Sequence, residues 1–198
     1  MKIVLVTQRI EKIGKYLEDR NNLDSRLTNY LNRIGYIPIL VPNNFSLMLK
    51  LIKNLKIKGI LLSGGGDPKK KDIRSKIERH LVKYSINTNT PLIGICRGAQ
   101  AINLYFKGKI VKINNHVKVK HFIFFKNTKK KYKVNSFHDY GIKKKSLSKK
   151  LKEIASSKDG CIELFSTNNN KILGMMWHPE RESKIKYTDK KIIKKIFS

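Results

Sequence analysis

Cysteine is nearly absent: Cys96 and Cys161 are the only two in 198 residues. Two cysteines cannot build a disulfide framework, which excludes the stapled secreted class and points to a reducing cytoplasm. Long apolar runs are missing as well. None approaches the roughly 20 residues that cross a bilayer, so no membrane partner is expected. The opening run, Met1 to Ile10, carries no small-residue cleavage site and reads as a first strand rather than a secretory signal. Acidic residues are scarce, 14 against 44 Lys and Arg, giving a formal net charge of +30. Arginine is scarce within that excess, with 36 of the 44 being lysine. The planar guanidinium fork is the group favoured for phosphate and base recognition. A lysine excess spread along the whole chain therefore reads as a solvated coat, not as a nucleic-acid site. Repeats and linkers are also missing, so residues 1–198 read as one domain, and a homo-oligomer is left open.

What is present is an alternation of short apolar runs and helical patterns. Ile3–Thr7, Tyr36–Val41, Gly59–Leu62 and Pro91–Ile95 read as buried strands. Between them, Gly14–Gly35 contains a helix with Leu23, Leu27, Leu31 and Ile34 near the 3.6 period, and Phe45–Leu55 and Asp72–Asn87 are helical, the last as a charged covering helix. Another helix runs from about Gly98 to Phe106. This βαβα order with continuously apolar strands predicts a parallel, doubly wound α/β sheet. Beyond Val111 the pattern changes to short strands and turns, with Lys144–Ile154 weakly helical. Gly160–Phe165 and Ile172–Trp177 flank Thr167-Asn168-Asn169-Asn170 as a hairpin.

Three segments carry chemistry. In Gly94-Ile95-Cys96-Arg97-Gly98-Ala99-Gln100, a cysteine sits between a strand and a helix, on a tight turn with small neighbours. The helix N-terminus favours a thiolate there, and the Arg97 N–H faces a developing oxyanion. A buried core cysteine is the plain alternative, and the flanking Gly94 and Gly98 argue against it. In Ser63-Gly64-Gly65-Gly66-Asp67, three glycines after a strand let a backbone approach a ligand, and Gly64 or Gly65 supplies a second oxyanion donor. The segment lacks the Gly-Lys-Ser/Thr ending of a phosphate loop. In Trp177-His178-Pro179-Glu180, an extended segment places residues i and i+2 on one side. His178 then faces Cys96 while Glu180 orients its imidazole.

These three segments, in this order, resemble the class I glutamine amidotransferase family, and more closely its stand-alone γ-glutamyl hydrolase branch. The resemblance covers nearly the whole chain and puts Cys96, His178 and Glu180 on the family's triad positions. It implies a three-layer α/β/α sandwich with a mostly parallel central sheet, a γ-glutamyl thioester intermediate, and neither cofactor nor metal. Gln100 matches a position that contacts the glutamyl group, and Val134-Asn135-Ser136-Phe137-His138 matches a segment flanking it, so Asn135, Ser136 and His138 are expected at the substrate. Asp139 departs from the family, which often has a second His or an Asn-Gln there. Asn115-His116-Val117 with His121 resembles another segment of the branch, to which a structural role is assigned. Thr7-Gln8-Arg9-Ile10 and Arg20-Asn21-Asn22-Leu23-Asp24-Ser25-Arg26 resemble a bacterial subgroup acting on γ-glutamyl-CDP-amidate, which yields cytidine diphosphoramidate for capsular polysaccharide. That likeness makes Arg9, Arg20 and Arg26 candidates for a diphosphate. Competing readings are a γ-glutamyl-γ-aminobutyrate-type hydrolase, a glutaminase subunit delivering ammonia to a separate synthase, and a lysine-rich nucleic-acid-binding protein.

Overall fold

The computed structural model describes residues 1–126 and 128–198. In chain order its first half comprises β1 (Ile3–Thr7), β2 (Arg9–Ile13), β3 (Glu18–Asn22), α1 (Ser25–Arg33), β4 (Ile37–Val41), α2 (Phe45–Asn54), β5 (Ile57–Leu62), α3 (Ile73–Thr88), β6 (Leu92–Ile95) and α4 (Arg97–Tyr105). The second half comprises β7 (Val111–Lys112), β8 (Val117–Phe125), β9 (Lys131–Phe137), β10 (Tyr140–Gly141), β11 (Leu151–Ser157), β12 (Ile162–Thr167), β13 (Ile172–Met175) and α5 (Tyr187–Ile196).

Nine strands form one sheet in the order β4-β1-β5-β6-β13-β12-β11-β8-β9. The ladders from β4 to β13 are parallel and those from β13 to β9 antiparallel. The parallel half follows from the crossover helices, which bury both sheet faces and so demand apolar residues throughout. Alternate residues of β1 illustrate this. Val4 and Val6 pack with α1 and α5 through Leu27, Leu31 and Ile193, whereas Leu5 packs on the other side with Met48, Ile77 and Ala99 of α2, α3 and α4. The result is the expected α/β/α sandwich, with an antiparallel extension on its C-terminal half.

α1 opens at the Asp24 N-cap, whose carboxylate accepts from the Arg26 N–H, and Gly35 follows its end at φ 94°. Before it lies an unexpected hairpin, β2–β3. Its residues are charged and largely exposed, so no apolar alternation announces it. Lys144–Ile154 is not helical. A 3₁₀ turn spans Lys144–Ser146, and β11 begins at Leu151 between β12 and β8, where pairing on both edges overrides a weak helical preference. The hairpin of β12 and β13 forms as expected, and β13 then lies parallel to β6, which brings the segment after it beside Cys96. Among the described residues, no helix is long and apolar enough to cross a membrane.

Candidate active site

Cys96 stands between β6 and α4 at φ 51°, ψ −106°, a conformation that a residue with a side chain seldom adopts. The surroundings enforce it. Cys96 N–H donates to Met175 O at 2.7 Å, and Gln100 N–H closes the first helical turn on Cys96 O at 3.0 Å. A Cβ on Gly94 or Gly98 would run into the backbone of Gly98 or Leu62, so this sharp turn can pack against β5 only with glycine at both places.

His178 follows β13 and is held by its backbone. Its N–H donates to Asn135 Oδ1 at 2.9 Å, and Asn135 Nδ2 donates to His178 O at 2.8 Å and to Glu182 Oε1 at 2.9 Å. His178 Nδ1 lies 2.7 Å from Glu180 Oε1, with both side chains buried. The pairing is the expected one, but its route differs. Pro179–Arg181 is a 3₁₀ turn rather than extended chain, and Pro179 at its first position folds Glu180 back onto the ring. Cys96 and His178 face each other across Gly64, where a Cβ would lie 2.8 Å from His178 Cε1 and 3.6 Å from Cys96 Cβ. Burial works against the imidazolium, but the Glu180 carboxylate and the Cys96 sulfur more than offset it and push the His178 pKa up to about 9.

The glycine loop is braced from below, a feature absent from the sequence reading. Arg74 donates from Nη1 to Gly65 O at 2.7 Å, and from Nη2 to Ser63 O at 2.8 Å and Gly64 O at 3.2 Å. Its Nε pairs with Glu78 Oε1 at 2.9 Å. Glu78 also accepts from Thr7 Oγ1 at 3.1 Å and pairs closely with Arg97. The Arg97 side chain is thus committed to this buried network, so only its backbone N–H, at the first position of α4, is free for an oxyanion role. Arg74 and Glu78 are four residues apart and read in sequence like a surface helix pair. In fact they face inward, at 3% and 1% exposure.

A cleft of about 380 Å³ opens over Cys96 and His178, lined also by Gly65, Gln100, His138, Tyr140 and Arg181. Gln100 reaches it and donates to Tyr140 O at 2.7 Å. Asn135 and Ser136 do not line it. Asn135 is spent on positioning His178, and Ser136 is fully buried, donating to His116 O at 2.6 Å. This corrects their assignment to the substrate. The two neighbours point to opposite faces of β9, and both faces are covered there, at 3% and 0% exposure. Arg9 leans over the loop, with Cδ 2.5 Å from where a Gly65 Cβ would stand, and pairs with Glu11 at 3.2 Å. Arg20 is paired with Glu18 at 2.7 Å on the same face of the β2–β3 hairpin. Arg26 is held by Asp24 at 2.7 Å and lines a neighbouring cleft with Arg33 and Glu180. The structure therefore brings Arg9 to the loop and leaves Arg20 and Arg26 off the cleft. Arg181, which does line it, follows directly on the Trp-His-Pro-Glu segment and was the readable residue that sequence reasoning passed over.

A cysteine on a strained strand-to-helix turn, facing a histidine oriented by a carboxylate, is the constellation of a nucleophilic hydrolase. Residues 19–198 match the glutamine amidotransferase class-I family model. The chain is 35% identical over 190 residues to the gamma-glutamyl-CDP-amidate hydrolase of Campylobacter jejuni, covering 90% of each. It is 32% identical over 174 residues to anthranilate synthase component 2 of Cyanophora paradoxa, covering 81% of this chain and 87% of that one. Among solved structures, PurLQS from Thermotoga maritima superposes with a TM-score of 0.70 at 16% identity over 98% of this chain and 97% of that one, a likeness of fold alone. The chain belongs to the class I glutamine amidotransferase family, and with it to the amide hydrolases.

Proposed function

We propose that the protein hydrolyses a γ-glutamyl amide through a thioester on Cys96, with γ-glutamyl-CDP-amidate as substrate. The observation that carries the hydrolytic reading is Cys96 on its strained turn, opposite a buried His178–Glu180 pair at 2.7 Å. The nucleotide-linked substrate is supported by the 35% identity to a gamma-glutamyl-CDP-amidate hydrolase, by Arg181 in the lining of the cleft and by Arg9 over the Gly65 loop.

In this mechanism the Cys96 sulfur attacks the γ-carbonyl carbon, and the oxyanion is met by the N–H of Arg97 and of Gly64 or Gly65. The C–N bond breaks as His178 passes its proton to the leaving nitrogen. Water then gives a proton to His178 and attacks the thioester, and the C–S bond breaks to release glutamate. Gln100 and His138 border the glutamyl pocket, and the leaving group extends toward Arg9.

His178 sets a pH dependence. Its pKa is raised above the ordinary 6.5, so its stabilising contribution is complete below about 6.5 and is lost as pH rises through about 9. The proton donor for the leaving nitrogen is lost over the same range, and kcat/KM should fall on that alkaline limb. Glu180→Gln removes the largest influence raising the pKa and should move the limb to lower pH. Profiles of kcat/KM for wild type and variant test this, and coincident limbs would exclude His178 as the titrating group.

The substrate is tested by comparing γ-glutamyl-CDP-amidate with a neutral γ-glutamyl amide and with free glutamine. Losing the nucleotide end should lower kcat as well as raise KM, because remote binding energy positions the reacting carbonyl. Arg9→Ala should cost roughly tenfold or more on the nucleotide substrate, as expected of a charge-assisted hydrogen bond, and little on the neutral amide. Arg20→Ala and Arg26→Ala should cost less, since Arg9 lies against the Gly65 loop and they do not. Equal losses on both substrates would remove Arg9 from the diphosphate. The likeness to an anthranilate synthase component 2 keeps glutamine as the second reading, and turnover of free glutamine exceeding that of the nucleotide compound would favour it.

A further inference from the structure

Behind the wall of the cleft, three side chains from separate elements converge on one point, with a fourth beside them. Glu163 comes from β12, His121 from β8, His116 from the turn before β8, and His138 from the turn after β9. Glu163 is fully buried, and among the described residues neither carboxylate oxygen has a hydrogen-bond partner. His121 Nε2 and His138 Nε2 are likewise buried without a partner. An unpartnered buried carboxylate costs several kcal/mol and is ordinarily paired or bound to a metal.

The distances discriminate between those two outcomes. From Glu163 Oε1, His116 Nδ1 lies at 3.4 Å, His121 Nε2 at 3.5 Å and His138 Nε2 at 3.7 Å. A charge-assisted N–H···O⁻ bond spans about 2.7–2.9 Å, so all three are too long to be one. Zinc bonds of about 2.0–2.2 Å give donor-to-donor edges of about 3.3–3.6 Å, close to the separations from Glu163, and the donor atoms of His116, His138 and Glu163 all lie within 4.8 Å of one another, a set that does not take in His121. The opposite ring nitrogens are arranged to match. His138 Nδ1–H donates to Tyr140 O at 3.1 Å, which leaves Nε2 as a lone pair facing inward. His116 Nε2 is 3.3 Å from Asp159 Oδ2, a carboxylate on the far nitrogen that leaves Nδ1 facing Glu163. A hydrogen-bonded second nitrogen is what fixes tautomer and aim in a histidine ligand. An access path exists, since a cleft of about 690 Å³ on the protein surface is lined by His116, His121 and Asp159.

We propose that His116, His138 and Glu163 form a divalent-metal site, with zinc the ion that two imidazoles and one carboxylate fit best and His121 standing beside it. Three protein donors leave one position for water, and the place of the site behind the cleft wall gives it a structural role. It departs from the metal-free expectation drawn from the sequence. The site ties the antiparallel half of the sheet to the active-site wall. His138 and Gln100 donate to the same Tyr140 carbonyl, so holding His138 fixes the side of the cleft that receives the glutamyl group.

The test uses the full chain, purified without added metal or chelator. Elemental analysis should find about one zinc per chain, as apparent affinities of structural zinc sites imply. Stripping with a strong chelator should lower Tm, and zinc alone should restore it. Cobalt(II) added to the stripped protein should give the intense visible bands of a tetrahedral ion, saturating at one equivalent. Cys96→Ala should keep those bands, while Glu163→Gln and His116→Asn should lose them or weaken binding at least about tenfold. Should either variant fail to fold, the wild-type titration decides alone. Zinc-free protein whose stripped form gives no saturable cobalt band and no Tm response would overturn the site, as would bands that vanish in Cys96→Ala.

Discussion

Replacement of Cys96 by alanine is expected to lower kcat by roughly 10⁴-fold or more, since the members of such a triad act as a unit. Alanine keeps the Cβ, and with it the backbone strain at φ 51°, so the fold should be little affected and the loss isolates the sulfur. Cys161 is the internal comparison. It is fully buried on the way into β12, away from the cleft, and Cys161→Ala should cost some stability while retaining turnover. The measurements are single-turnover rates with γ-glutamyl-CDP-amidate and mass mapping of the acylated peptide. Near wild-type turnover in Cys96→Ala, or acylation found on Cys161, would sink the thioester mechanism.

Replacement of Glu78 by alanine should produce the largest loss of stability. This carboxylate, 1% exposed, serves Thr7, Arg74 and Arg97 together. Its removal leaves two guanidinium groups buried beside each other with no counter-ion. Breaking a buried ion pair from one side costs about 3–5 kcal/mol. For a chain of this size each kcal/mol moves Tm by about 2–4 °C, so a fall on the order of 10 °C is expected. Activity should drop at temperatures where the variant is still folded, because Arg74 holds the carbonyls of Ser63, Gly64 and Gly65 that shape the loop opposite Cys96. Glu78→Gln, which keeps an acceptor but not the charge, should fall between. Thermal unfolding with parallel kinetics at 25 °C separates the two effects, and a Tm unchanged within a degree or two would show that the network is not a support.

Much of the site was legible because it is written locally. A cysteine between an apolar strand and a helix, with glycine two residues to either side, specifies a strained turn by sterics alone, and the structure adds the reason for each glycine. The Trp-His-Pro-Glu segment likewise placed Glu180 on His178, although through a 3₁₀ turn instead of an extended chain. The substrate-side assignments fared less well. Asn135 and Ser136 are buried off the cleft, one bonded to the His178 backbone and the other to His116 O, contacts between distant residues that no short-range pattern records.

By itself the sequence determined the parallel half of the sheet, the cysteine turn after β6, the glycine loop and the histidine-carboxylate pair. Each depends on the chemistry of a few neighbouring residues: apolar runs that must be buried on both faces, glycines where no Cβ fits, and a polar pair within one turn of chain. Only the tertiary structure decided which charged residues face inward. Arg74 and Glu78 look like an ordinary solvent-facing pair until α3 is laid against the loop after β5. The convergence of His116, His138 and Glu163 was equally hidden, because β8 and β12 lie on either side of β11 and bring His116 to Glu163, more than 40 positions away. Long-range pairing sets such contacts, and its energy comes from surfaces that meet only once the sheet has formed.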